Sequence, residues 1–566
     1  MRRSVLCILA CIVLVGTLVR AMPLFSYALW GSDSGEYYYL TDHLASTGTA
    51  LRDGYEGWGE VYPYFPGFLV VAGALSSVSG MGVLQSLMLA PLLFFPVSLV
   101  AIFLIGRRIF GNDAGGLLGA AFLAIVMPHV YPTSHAMPGS LGDALMILAL
   151  LSVIASAKDN RFWVVLAPLS LALIVTHHLS SYLFLIAVMG GIAVRELFVA
   201  RGARDARRVW RECAFVAAFY VGMVIFWLEL SPGFERRVLS SALPMMPPEA
   251  IAFAGFVLIA ALPFLVLRFP KIPSLGRSAP GGREVAVRIA AIAVALLAVL
   301  AIASTLGIPA TTMKVPLVSI LFFFPLIAII VPVIVGSRAL DLHDEGNTVF
   351  GWFAGIAASG LLGVATGSIA LSPYRHVEYL MMPFALLFAA GILLVLVFIK
   401  GRTRRIAFSA GVATLVLINI PLAYPPQDVM VGFEEGTYQQ EWSCLLWAGE
   451  NTPARSVFAS DHRMSSALFG FEGKYATWDT TPRTFTSANF SPEVKAELAS
   501  ANAPLTPRQV QYVLLTDVMK RGIALDPNAP AVPITDASLL KFEQGPFVTL
   551  YDNGFAKVVM IDWSMA

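Results

Sequence analysis

Long apolar runs constrain this chain more than any other feature. Stretch after stretch of about 20 residues carries little or no charge, and each breaks at a cluster of Arg, Lys, Pro or Gly. A helix rises 1.5 Å per residue, so about 20 residues cross the roughly 30 Å of hydrocarbon in a bilayer. Inside hydrocarbon every backbone amide must be satisfied within the protein, which leaves helices or closed barrels. Barrel strands alternate apolar and polar residues, and these runs do not. Composition agrees. The chain is 57% hydrophobic and 13% charged, with a mean hydropathy of +0.74, where a soluble domain is about a quarter charged. A formal net charge of +2 excludes a nucleic-acid binder by bulk charge. The four cysteines, Cys7, Cys11, Cys213 and Cys444, have neither a disulfide framework nor metal-ligand spacing.

The breaks predict a polytopic α-helical membrane protein with about 13 transmembrane helices. They run near 4–29, 83–106, 114–130, 141–157, 161–178, 181–198, 212–230, 249–267, 288–306, 316–335, 348–370, 377–399 and 406–424. Segment 64–79 is apolar but short, and reads as a helix lying on the membrane surface. Cytoplasmic loops carry excess Lys and Arg. This layout puts 22 basic residues inside, among them Arg107, Arg108, Lys158, Arg161 and the run Arg195–Arg211. Only six fall outside ahead of the tail: Arg20, Arg52, Arg236, Arg237, Lys314 and Arg375. The run Arg195–Arg211 reads as a topology anchor facing anionic lipid. The asymmetry predicts a plasma-membrane protein with a cytoplasmic N-terminus and residues 425–566 extracytoplasmic.

That tail is a different material. It holds ten Lys and Arg against sixteen Asp and Glu. Gln440–Glu450 reads as a helix, and Ser456–Ala459 and Val510–Thr516 as strands. Phe547–Leu550 and Ala556–Ile561 flank Asp552-Asn553-Gly554, a hairpin signal. The chain therefore divides into a membrane domain, 1–424, and a soluble mixed α/β domain, 425–566.

Residues able to do chemistry cluster at the outer rim. Gly31-Ser32-Asp33-Ser34-Gly35-Glu36 follows the first helix directly, in a loop that also holds Asp42, Asp53, Glu56 and Glu60. A carboxylate there can act as a general base or ligate a hard cation; a solvated polar loop looks the same in sequence. The second outer loop carries His129 and His135 and ends at Asp143, which can equally serve the N-terminus of the next helix. Of the adjacent pair His177 and His178, only one can face a given site, so the pair does not form a zinc site. Ser372-Pro373-Tyr374-Arg375-His376 offers one guanidinium, suited to bidentate phosphate binding or to snorkelling at the interface.

Taken in order, these features resemble the GT-C glycosyltransferases, and among them the catalytic subunit of oligosaccharyltransferase and its archaeal relatives. Asp33 stands where that family places a catalytic aspartate. Tyr62-Pro63 through Leu75 resembles its surface helix, and Leu104-Ile105-Gly106-Arg107-Arg108-Ile109-Phe110-Gly111 its first cytoplasmic turn. Ser134 through Asp143 resembles the loop carrying its second acidic motif. Tyr374-Arg375-His376 with Pro383 is similar to the segment whose arginine contacts lipid-linked phosphate. Trp442, Leu446, Trp447 and Glu450-Asn451-Thr452-Pro453 resemble the opening of its outer domain. Two departures stand out. The second loop has Asp143 alone where the family has two acids. The family's Trp-Trp-Asp-Tyr-Gly sequon reader is absent, with Ser460-Asp461-His462-Arg463-Met464 in its place and Thr477-Trp478-Asp479 nearby.

The resemblance implies an inverting glycosyltransferase. Its donor is a sugar on a polyprenyl phosphate or pyrophosphate, and its acceptor a glycan, lipid or surface polymer. Asp33 would be the base and Arg375 the phosphate contact. Glu36, His135, Asp143, His177 and Tyr374 would line the donor site. A divalent cation, magnesium or manganese, would sit on Asp33 and Asp143. The alternatives are protein glycosylation of the oligosaccharyltransferase kind, a lipid or glycan transporter or flippase, and a non-catalytic scaffold. Transport would place ionisable groups at mid-membrane and show repeats, whereas the acids here gather at the rim.

Overall fold

The computed structural model describes residues 2–50, 54–198, 205–234, 238–240, 246–269, 314–340, 344–368, 370–524 and 531–566, with scattered positions between 287 and 305. Most of the span expected at 288–306 and of the segment 306–315, together with Arg52, Asp53, Arg236 and Arg237, lies outside the described residues. Among the described residues nine helices are long and apolar enough to cross a membrane, or ten if one bent pair counts as a span.

The first helix, Arg3–Ala21, continues as Pro23–Ser26. Val83–Phe110 stops where Gly111 takes a φ of +65°, a left-handed conformation that side chains with a Cβ resist. The expected span 114–130 is two helices, Asp113–Ile125 and Met127–Thr133, bent by 61°. The expected span 161–178 is a helix of only 15 residues, Phe162–Thr176. The expected 316–335 is broken at Phe323 into Leu317–Phe322 and Phe324–Leu340. Segment 64–79 contains the helix Gly67–Ser79, which buries Phe68, Leu69 and Ala72 against its neighbours.

Helix Pro138–Ser156 is the most enclosed, with 78% of its apolar window buried, against 6% for the peripheral Arg402–Leu422. A helix apolar on all sides is stable at either depth when lipid or protein covers it. Two charged groups are internal. Arg20, counted on the outer side ahead of the tail, is only 1% exposed inside the helix bundle. Arg195, assigned to anionic lipid, is buried and paired with Glu196 at 2.8 Å and Glu212 at 2.6 Å. Both guanidiniums lie where an unpaired charge would cost several kcal/mol, so buried partners replace solvent or lipid.

The tail forms a five-stranded sheet in the order Tyr475–Ala476, Val457–Ala459, Tyr512–Thr516, Ala556–Ile561, Phe547–Asp552. The first three strands are parallel and the last two pairings antiparallel. The hairpin turns at Gly554, φ +83°, where Asn553 Oδ1 accepts from the amides of Phe555 and Ala556. Two close backbone approaches help to dock this sheet domain on the membrane helices. Leu29–Trp30, at the exit of the first helix, pairs antiparallel with Gly436–Thr437. Helix Ser34–Thr47 packs on helix His462–Glu472 through two glycines. A Cβ on Gly35 would fall onto the carbonyl of Ser466, and one on Gly470 onto the carbonyl of Gly35. Only the absence of a side chain lets the two backbones approach this closely.

Candidate active site

The Gly35 contact brings the start of one helix against the start of another. Asp33 is the residue before helix Ser34–Thr47, and His462 is the first residue of His462–Glu472. His462 Nε2 lies 2.8 Å from Asp33 Oδ1, and its Nδ1 lies 3.1 Å from Asp479 Oδ2. The Tyr62 hydroxyl donates to Asp33 Oδ2 at 2.9 Å. Trp58 sets its ring edge-on to His462 at 4.9 Å. Burial alone would raise the Asp33 carboxyl, but the hydrogen bonds and charge of His462, with the Tyr62 hydroxyl, outweigh it and hold Asp33 below its ordinary value. Burial would likewise lower His462, yet the two carboxylates push it well above its usual range.

Glu36 lies one turn along, fully buried. Its Oε1 accepts from the Tyr55 hydroxyl at 2.7 Å and the Gly59 amide at 3.0 Å, and so pins the loop that carries Trp58. Its Oε2 is buried without a hydrogen-bond partner. Burial, then the nearby charge of Asp33, raises Glu36 to about 7.

His135 reaches the same corner. Its ring stacks on Trp30 with centroids 4.8 Å apart, and its Nε2 faces Glu435 at 4.0 Å. Burial lowers its basicity below the ordinary value. His177 points elsewhere. It caps helix His178–Leu197, with Nδ1 2.7 Å from Ser180 Oγ, which in turn lies 2.7 Å from the Tyr379 hydroxyl. Tyr379 shares helix Pro373–Phe398 with Arg375 and Tyr374, so this cap is tied to the N-terminal part of the arginine's helix. Arg375 Nε donates to the exposed Tyr374 hydroxyl at 3.2 Å.

Asp143 is enclosed among the helices at 1% exposure. It accepts from Ser98 Oγ at 2.8 Å and meets His129 Nε2 at 3.2 Å. His129 Nδ1 in turn lies 2.8 Å from Arg20 Nη2. Arg20 also donates to Thr133 Oγ1 and the Ala124 carbonyl, and lies 3.3 Å over the Phe95 ring. Among the described residues Asp33 and Asp143 share no hydrogen-bond partner. Among the described residues no group of three His, Cys, Asp or Glu is arranged to hold a metal. Asp33 faces an imidazole and a phenol rather than further carboxylate oxygens of the kind that bind magnesium or manganese.

Sequence reasoning passed over His462, Asp479, Tyr62 and Trp58. One signal was available: His462 is the only histidine after residue 424.

No protein-family model matches the chain, and no curated protein does. Solved structures do. The archaeal oligosaccharyltransferase AglB from Archaeoglobus fulgidus, in complex with an inhibitory peptide and a dolichol-phosphate, matches 100% of this chain and 75% of its own length. The TM-score is 0.60 and the identity 13%. The apo form of the Archaeoglobus fulgidus oligosaccharyltransferase matches 91% of this chain and 70% of its own, with a TM-score of 0.57 and 14% identity. The form complexed with zinc and sulfate matches 91% and 68%, with a TM-score of 0.56 and 15% identity. At such identities the likeness is one of architecture: the chain has the GT-C fold of the archaeal oligosaccharyltransferase.

Proposed function

We propose that the chain is a membrane glycosyltransferase that moves a sugar from a polyprenyl phosphate or pyrophosphate to a hydroxyl acceptor at the outer membrane face. One observation carries the reading. On an oligosaccharyltransferase fold, an ionised carboxylate, Asp33, is held by two donors where the helix bundle meets the soluble domain. In the proposed step the acceptor hydroxyl hydrogen-bonds Asp33. Its oxygen attacks the anomeric carbon, and a new C–O bond forms with inversion. The bond from that carbon to the phosphate oxygen breaks, and its electron pair leaves with the lipid phosphate. The hydroxyl proton passes to Asp33. Arg375, at the outer end of its helix, would bind the phosphate as a charge-assisted fork. Its exposed neighbour Tyr374 and the histidines His135 and His177 would line the donor site. In this reading residues 1–424 form the membrane domain, with a cytoplasmic N-terminus, and 425–566 the outer domain.

The acceptor is a glycan, lipid or surface polymer. The stretch standing in place of the family's sequon reader, Ser460 to Met464, is spent on internal contacts. His462 is turned onto Asp33, and Arg463 is buried against Glu441 at 2.9 Å.

The test is transfer of radiolabel from a panel of polyprenyl-phosphate and -pyrophosphate sugars by the detergent-purified chain. Wild type is expected to release label from one donor. Asp33→Asn keeps the shape and is expected to lose roughly 10²–10⁴ of that rate. Equal rates in the two proteins would end the assignment of Asp33 as base.

A further inference from the structure

The site was expected to hold a divalent cation on Asp33 and Asp143, and the residues present do not fit one. Asp143 is taken by Ser98 and His129. Asp33 is faced by His462 and Tyr62. Both ring nitrogens of His462 face a carboxylate oxygen, Asp33 at 2.8 Å and Asp479 at 3.1 Å. A neutral imidazole has one donor nitrogen and one acceptor; two carboxylates require two donors, which is the imidazolium. A fixed cation therefore already stands beside the reactive carboxylate, hydrogen-bonded on both sides, and it repels a second one.

We propose that this site works without a divalent cation: the His462 imidazolium, carried in by the soluble domain and braced by Asp479, is the positive charge that orients and balances Asp33. His462 is then a positioning residue, acting on substrate through Asp33. Its ring is aimed by three groups: the Asp479 carboxylate, the Asp33 carboxylate and the Trp58 edge. The site is complete only with the sheet domain docked, because His462 and Asp479 come from it. Gly35 and Gly470 permit the docking, and the Leu29–Trp30 pairing with Gly436–Thr437 keeps it in register. The inference rests on the reading of Asp33 as the base of a glycosyl transfer, and a second readout separates the two.

Two measurements on the full-length detergent-purified chain decide it. The first is titration with manganese alone, followed by the electron paramagnetic resonance of the free ion. Wild type is expected to take up no manganese that Asp33→Asn fails to take up. The second is turnover of the lipid-linked sugar with and without chelator. Wild type is expected to be equally fast in both, and His462→Gln more than tenfold lower in kcat with little change in KM, measured well below its own melting temperature. If His462→Gln fails to fold, Asp479→Asn takes its place, with the same expectation. Manganese uptake that depends on Asp33, or turnover lost to chelator and restored by manganese, overturns the inference while leaving the glycosyl transfer standing. Full turnover in His462→Gln overturns it too. If no donor is consumed, the transfer reading fails, and the manganese titration still decides whether the carboxylate binds a cation.

Discussion

His462 lies 2.8 Å from Asp33 although 429 positions separate them in the chain. One residue belongs to the sheet domain and the other to the exit of the first membrane helix. Their contact is set by the close crossing of helices Ser34–Thr47 and His462–Glu472 at Gly35 and Gly470.

That crossing can be broken with one methyl group. In Gly35→Ala the new Cβ meets the Ser466 carbonyl, which is backbone and cannot rotate away. Overpacking of this kind costs about 1–3 kcal/mol. The variant is expected to melt several degrees lower and to transfer sugar more slowly, because His462 is pushed off Asp33. Differential scanning fluorimetry and the transfer assay check both. A melting temperature and rate equal to wild type would mean the two helices cross more loosely than described.

Glu36 predicts a pH dependence of stability. Its carboxyl is raised from 4.5 to about 7 in the folded chain, first by burial and then by Asp33. A raised pKa stabilises the fold fully below the unfolded value, and that stability drains away as pH climbs through the folded one. Glu36→Gln cannot ionise and still offers an oxygen to Tyr55 and Gly59. Relative to wild type, the variant is expected to gain melting temperature steadily from pH 5 to pH 7.5, then to level off. A difference that stays flat over that range would show that Glu36 is not held neutral.

Arg20, His129 and Asp143 form one buried hydrogen-bonded chain. Removing one buried charge leaves its partners uncompensated, at a cost of about 3–5 kcal/mol. Arg20→Met and Asp143→Leu are each expected to destabilise the chain by that order. The double variant should cost clearly less than the sum, since coupled residues are not additive. Melting of the four proteins in one detergent measures it, and simple additivity would show that the two charges act independently.

Arg375 is expected to act on the donor rather than on the chemical step. Losing a charged hydrogen bond to phosphate costs about 1.5–3 kcal/mol, or roughly 10–100-fold in affinity. In Arg375→Ala, KM for the lipid-linked sugar should rise by that factor while kcat changes little. Arg375→Lys, which keeps charge but not the fork, should fall between the two. A fall in kcat at constant KM would move Arg375 from phosphate binding to the reacting atoms.

The sequence by itself determined the body of long apolar helices, because burying an apolar run in lipid is a local property that a window of 20 residues already contains. It also located the Asp552-Asn553-Gly554 turn and put Asp33 just past the first helix, since helix exits and tight turns are written in neighbouring residues. What lay beyond it was everything that depends on two distant segments meeting. Hydropathy could not tell that Arg20 is buried against His129, or that the span expected at 114–130 bends by 61°. It could not join Asp33 to His462, Asp479 and Tyr62. Those contacts have no period and no spacing; they exist because a glycine on each of two helices lets their backbones touch, and the sheet domain then delivers an imidazole to a carboxylate on the far side of the chain.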